Sequence, residues 1–138
     1  MPLVSLAQNP VSWSLESGTK GKTLKSNETV KAKLKANIEG DWHLYAVEQP
    51  PGGPFPTKIT IAENAPFQID GNIESSVPIT KFDPNFQIDT KFFARQAEFD
   101  LPLKSTAETN GDNLAVNVKY QVCNDSVCLP PKTVKVSF

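Results

Sequence analysis

The sequence predicts an all-β fold, an immunoglobulin-like antiparallel β-sandwich with a cysteine-bearing hairpin, and three observations lead there. Apolar and polar residues alternate with a period of two along several short runs, a pattern that a 3.6-residue helix cannot place on one face. Twelve prolines against seven glycines, with few alanine-rich stretches, punctuate those runs and disfavour helices. Seven or more such runs separated by turn signals match the strand count of a β-sandwich.

The first ten residues, MPLVSLAQNP, read as an N-terminal extension, and residues 11–138 as one domain. TVKAKLKANI is the clearest strand: Val30, Ala32, Leu34, Ala36 and Ile38 share one face, and Lys31, Lys33, Lys35 and Asn37 the other. DWHLYAV follows Gly40 as a strand, and QPPGGPFP then breaks regular structure and reads as a stiff surface loop. TKITIA, from Thr57 to Ala62, is a further strand, with another around FQIDGNI. The stretch from Glu74 to Asp89 reads as irregular. KFFARQAEFDLPL then places Phe93, Arg95, Ala97, Phe99, Leu101 and Leu103 on one parity. Asn110-Gly111 is a hairpin signal. LAVNVKYQV turns Leu114, Val116, Val118, Tyr120 and Val122 to the core, and TVKVSF buries Val134, Val136 and Phe138.

At 138 residues the chain is long enough to bury a core without help from disulfides. Fourteen basic and fifteen acidic residues give a net charge of −1, which supplies no field to steer nucleic acid or an anionic membrane. No apolar run approaches the ~18–20 residues of a membrane span. The opening lacks the basic and apolar regions of a secretion signal. The chain also stops on a strand-like run at Phe138, so it reads as a domain cut from something longer.

The two cysteines, Cys123 and Cys128, lie together in YQVCNDSVCLPP. Such a pair can be a structural staple, part of a metal site or a redox couple. Parity favours the last. Cys123 is out of step with the apolar set ending at Val122, so it points away from the core as part of an exposed disulfide. A buried inter-sheet staple would sit on the core parity with its cysteines far apart in sequence. Magnitude agrees, since closing a loop of about six residues stabilises a fold by only roughly 2 kcal/mol. Asn124 to Val127 can form a four-residue hairpin loop that sets the cysteines on facing positions, where a disulfide can form reversibly. A metal site would have to use Cys123, Cys128 and His43, the only histidine, and a fourth ligand is not evident. The C-x-x-C and βαβ signature of thioredoxins is absent, and no nucleophile or phosphate-binding loop suggests conventional enzymology.

YQVCNDSVCLPP, followed directly by a final strand, resembles the N-terminal periplasmic domain of the DsbD thiol:disulfide interchange family. DWHLYAVEQPPGGPFPTKITI is similar to that family's early aromatic strand, proline-containing loop and following strand. FFARQAEFDLPL resembles the segment that begins with a cap loop over the cysteines. The resemblance runs from about Val11 to Phe138 and implies a thiol-disulfide oxidoreductase needing no cofactor and no metal. Two electrons would pass from a thioredoxin-like C-terminal domain of a membrane-embedded parent protein, through Cys123 and Cys128, to periplasmic thioredoxin-fold partners. Those partners are disulfide isomerases and the thioredoxins of cytochrome c maturation, and the isolated domain is expected to be a monomer. Carried over residue by residue, Cys123 and Cys128 are catalytic, with Cys128 joining the partner and Cys123 resolving. Phe92 and Phe93 match the cap loop, although a strand here would turn one of them into the core. Tyr45 and His43 occupy aromatic positions near the cysteines.

The sequence departs from the family in two places. Members often have one more residue between the cysteines. The acidic pair before the cap aromatics is replaced by Asp89, Thr90 and Lys91, which leaves any carboxylate control of the thiols to Asp89 and Asp125. Two other readings stand beside the exchange domain: a β-sandwich binding module with a structural hairpin disulfide, and a copper- or zinc-handling domain.

Overall fold

In the computed structural model, which describes residues 9–138, the alternating runs become fourteen strands and one 3-10 turn. The first half of the chain carries β1 (Val11–Ser17), β2 (Thr23–Leu24), β3 (Thr29–Ile38), β4 (His43–Tyr45), β5 (Lys58–Ile61), β6 (Phe67–Ile69) and β7 (Glu74–Ser75). The second half carries β8 (Ile79–Asp83), β9 (Ile88–Ala94), β10 (Gln96–Ser105), β11 (Thr109–Asn110), β12 (Ala115–Tyr120), β13 (Val122–Cys123) and β14 (Lys132–Ser137). Residues 1–8 of the expected N-terminal extension lie outside the described residues.

Every strand pairing is antiparallel. One sheet runs β1-β3-β10-β6, with β7 also on β10; a second runs β14-β12-β5; a third runs β13-β4-β9-β8; and β2 and β11 form a small ribbon. Register shows how the period-two pattern builds the core. Leu15, Leu34 and Phe99 lie in one row across β1, β3 and β10, and all three are buried. Burying side chains of this size contributes roughly 1.5–3 kcal/mol each. The opposite face of the same strands carries the lysines, where Lys33 meets Glu98 at 3.3 Å and Lys35 meets Glu16 at 2.8 Å. These pairs are exposed and serve solubility more than stability. The main core draws Val11, Leu34 and Phe99 from the first sheet, Ile59, Val116 and Val136 from the second, and Leu44, Phe93 and Val122 from the third. This is an all-β sandwich of the immunoglobulin-like kind.

Three local expectations change. KFFARQAEFDLPL is two strands rather than one, because Arg95 takes a positive φ of 70° and turns the chain from the β4-side sheet into the β3-side sheet. Ala97, Phe99, Leu101 and Leu103 keep their core parity beyond that corner, while Arg95 leaves the core. Asn110-Gly111 does not turn a hairpin between β10 and β12. Asn110 instead caps the 3-10 turn Gly111–Asn113, and the Gly111 N–H bonds to the Lys22 carbonyl at 2.7 Å. A side chain at Gly111 would meet the Thr19 carbonyl oxygen at 2.0 Å, so the glycine is there for close approach. The stretch expected to be irregular before Asp89 holds β7 and β8. The latter is an edge strand whose residues Ile79 to Phe82 are all exposed, leaving no alternation to read.

Candidate functional site

The chain reaches the cysteines through a step between sheets. β12 ends at Tyr120, Gln121 intervenes, and β13 pairs with β4 so that Cys123 lies opposite His43. Asn124 then nucleates a tight loop. Its side-chain oxygen accepts the N–H groups of Ser126 and Val127 at 2.9 and 2.8 Å, and its own N–H bonds to the Val127 carbonyl at 2.9 Å. This local hydrogen bonding is why asparagine favours turns. The Leu129 N–H returns to the Val122 carbonyl at 3.0 Å. Bonds at the flanking positions make Cys123 and Cys128 a non-hydrogen-bonded facing pair, the kind whose Cα atoms approach most closely. They form a disulfide with the Cα atoms 4.0 Å apart. Pro130 and Pro131 carry no N–H, so the ladder stops after Leu129.

The sheet β13-β4-β9-β8 has two buried faces. Val122, Leu44 and Phe93 point into the main core, while Cys123, Tyr45 and Phe92 form a second, smaller cluster with Phe86 and Cys128 packed against it. Parity correctly takes Cys123 off the main core, but the expected exposure does not follow. Cys123 is only 1% exposed, because the turn between β8 and β9 folds over this face. Cys128 is the partly open member of the pair.

Phe92 and Phe93 do face opposite sides, yet both sit within β9 rather than on a loop tip. Phe93 packs edge-on to Phe99 at 5.6 Å in the main core. Phe92 lies in the cysteine cluster and stacks on His43, with centroids 4.0 Å apart and planes at 20°. The aromatic side chain that comes from a turn is Phe86, edge-on to Tyr45 at 6.0 Å. Tyr45 is fully buried, and its hydroxyl donates to the Asp83 carboxylate, which also accepts from the Thr90 hydroxyl at 3.2 Å. Burial first, then the Asp83 hydrogen bond and charge, push the Tyr45 phenol far above its ordinary range, with Asp125 adding to the effect.

Asp89 is exposed and alternates to the face of β9 opposite Phe92, so it does not join the cysteine cluster. Asp125 is exposed in the hairpin loop and lines a groove with Asp41, His43, Lys81, Phe92 and Asn124. The buried carboxylate beneath the disulfide is Asp83. Asp83, Asn85 and Phe86 were missed, although Asp-Pro-Asn followed by an aromatic residue is a turn signature that could have found them. Asp83 shapes this turn, since its carboxylate takes the Asn85 N–H at 2.8 Å and its carbonyl takes that of Gln87 at 2.7 Å. Asn85 then ties the turn to the cysteine hairpin by donating its side-chain amide to the Asn124 carbonyl at 2.7 Å.

Among the described residues, no group of three or more His, Cys, Asp and Glu side chains is placed to hold a metal ion. No helix among them is long and apolar enough to cross a membrane. The arrangement offers a disulfide in which Cys123 is buried among aromatic rings and Cys128 is partly buried beside them.

Comparison with solved structures gives the same fold. The N-terminal periplasmic domain of ScsB from Proteus mirabilis superposes with a TM-score of 0.64 at 17% identity, over 98% of this chain and 49% of that one. The chain therefore spans about half the length of the ScsB structure. The reduced DsbD N-terminal domain of Neisseria meningitidis gives a TM-score of 0.57 at 15% identity, over 91% of this chain and 83% of that one. A sequence comparison with curated proteins found no match. The family model described as thiol:disulfide interchange protein DsbD, N-terminal, matches residues 15–138. With nearly the whole sandwich and its cysteine hairpin inside that match, the chain belongs to the DsbD N-terminal domain family, a family of thiol-disulfide interchange domains.

Proposed function

We propose that Cys123 and Cys128 relay two electrons between thioredoxin-fold proteins in the periplasm. The donor in this reading is a thioredoxin-like domain of the membrane protein to which the chain belongs, and the acceptors are disulfide isomerases and thioredoxins of cytochrome c maturation. The observation that carries the reading is the asymmetry of the pair, with Cys123 sealed at 1% exposure and Cys128 partly open beside a ladder end stopped by two prolines.

That asymmetry supports the following order of steps. In the reduced domain the Cys128 thiolate attacks one sulfur of the partner's disulfide, forming a mixed disulfide and releasing the partner's other sulfur as a thiolate. The Cys123 thiolate then attacks the Cys128 sulfur. The Cys123–Cys128 bond forms, the mixed bond breaks, and the second partner sulfur leaves as a thiolate. The partner takes up two electrons and two protons in all. Recharging runs the same steps in reverse, with the incoming thiolate attacking Cys128. Phe86 and Phe92 keep solvent and small thiols from Cys123, and Phe86 on its turn is the ring that can move aside.

Trapping tests this. Cys123→Ser should accumulate a mixed disulfide with a thioredoxin-fold protein whose resolving cysteine has been removed and whose remaining cysteine is activated as a thionitrobenzoate mixed disulfide, releasing thionitrobenzoate as the leaving thiolate, and Cys128→Ser should accumulate little. Non-reducing gels read the outcome. The opposite pattern would reverse the roles, and no adduct with either variant would sink the exchange reading.

A further inference from the structure

The proline-rich loop QPPGGPFP is fastened to the cysteine hairpin by one side chain. Gln121, at the step between β12 and β13, accepts the Phe55 N–H on its side-chain oxygen at 3.0 Å. Its side-chain amide donates to the Leu129 carbonyl at 3.3 Å. Its backbone carbonyl receives the Tyr45 N–H at 3.4 Å. One residue therefore joins the loop, the strand beneath the disulfide and the residue next to Cys128. Just past Phe55, at the same end of the loop, the Thr57 hydroxyl donates to the Tyr45 carbonyl at 2.6 Å and the Thr57 N–H bonds to the Ala46 carbonyl at 3.2 Å, and at the far end the Gln49 side-chain oxygen accepts the Lys91 N–H at 3.2 Å. Lys119, two residues before Gln121, lies 5.3 Å over the Phe55 ring. The loop is a strut with both ends tied to the site.

We propose that Gln121 is a positioning residue for thiol exchange, holding Cys128 in register with Cys123 when the disulfide is open. This rests on the exchange reading above. While the disulfide is closed, the sulfur–sulfur bond itself aligns the two arms. Once it opens, the arm from Cys128 to β14 has two described hydrogen bonds, Leu129 N–H to Val122 and the Gln121 amide to Leu129. Pro130 and Pro131 can add no N–H donor. Removing the Gln121 amide frees that arm in the dithiol form and lowers the effective concentration of one thiol at the other. Re-forming the disulfide becomes less favourable.

The test is redox equilibrium with glutathione, in which one protein disulfide and two glutathione thiols exchange with one protein dithiol and one glutathione disulfide. Gln121→Met keeps the side-chain length and loses both hydrogen bonds. Gln121→Glu keeps the acceptor for Phe55 and loses the donor to Leu129. Both should raise the dithiol-to-disulfide ratio about fivefold, the worth of one partly exposed hydrogen bond, which is about 20 mV for a two-electron couple. A merely structural glutamine would destabilise both redox forms alike, so a lower unfolding temperature with an unmoved equilibrium overturns the proposal. A wild-type equilibrium in Gln121→Glu alone also overturns it, by showing that only the Phe55 bond matters. If the equilibrium shifts while the trapping experiment yields no mixed disulfide, the positioning role stands and the exchange reading falls.

Discussion

Tyr45→Phe removes one oxygen from the network beneath the disulfide, and its effect can be worked out across pH. Both tyrosines of the chain are buried, Tyr45 at 0% and Tyr120 at 3% exposure. Burial holds both phenols above the ordinary value of 10, and Asp83 raises Tyr45 further. A group whose folded pKa is raised stabilises the fold below its unfolded pKa, and that contribution is lost as pH climbs through the window between the two values. Above about pH 10, then, unfolding releases two phenolic protons, and stability falls by about 2.7 kcal/mol per pH unit. In Tyr45→Phe only Tyr120 remains, and the slope halves to about 1.4 kcal/mol per unit. At neutral pH the variant starts lower, by about 1.5–3 kcal/mol, because Asp83 loses its bond to the phenol. The two curves should converge above pH 10 and cross at about pH 11–12. Lysine ionisation is common to both proteins and cancels. Urea unfolding of the oxidised proteins from neutral to strongly alkaline pH, followed by tryptophan fluorescence, reads both slopes. Parallel curves would show that Tyr45 ionises inside the fold, and equal stability at neutral pH would show that Asp83 does not need it.

Two further outcomes are expected. Phe86→Ala should speed reduction of the disulfide by a bulky thiol more than by a small one, whereas Phe93→Ala should leave that ratio alone while costing about 3–5 kcal/mol of stability as a core cavity; paired reduction rates and urea midpoints check both. Opening the disulfide should cost about 2 kcal/mol and leave the circular dichroism of the fold intact. Global unfolding on reduction would mark the pair as a staple instead.

What could be read from the sequence was whatever repeats locally. The ten-residue alternation of β3 specified its core face, and β10 beyond Arg95 and β12 did the same. The fold class followed from such runs and from the prolines between them. Spacing alone suggested the facing geometry of Cys123 and Cys128, because a four-residue loop has few ways to close. The cover over that disulfide was not legible. It depends on β8, an edge strand with no alternation, and on a turn that folds back across a sheet 38 residues away in sequence, where Asp83 meets Tyr45. Parity predicts which face a side chain takes and says nothing of whether another element lies there, and this is why Cys123 was read as exposed. Asp89 was named and Asp83 missed for a similar reason. Proximity to Phe92 along the chain favoured Asp89, but the period of two sends it to the other face.

The two-faced sheet also constrains how this domain can change. In β4 and β9 each step along the chain alternates between the fold's main core and the chemistry of the sulfurs: Leu44 then Tyr45, Phe92 then Phe93. Point substitutions can therefore alter one function of the sheet while leaving the other untouched, so the reactivity of the cysteine pair can drift among descendants without endangering the scaffold. A one-residue insertion or deletion has no such freedom, because a slip of register exchanges the faces of the whole strand. It would drive the Tyr45 hydroxyl into the hydrocarbon interior and bring Leu44 up against the disulfide. Lineages of this domain should vary freely in the identities of these residues and hardly at all in their count.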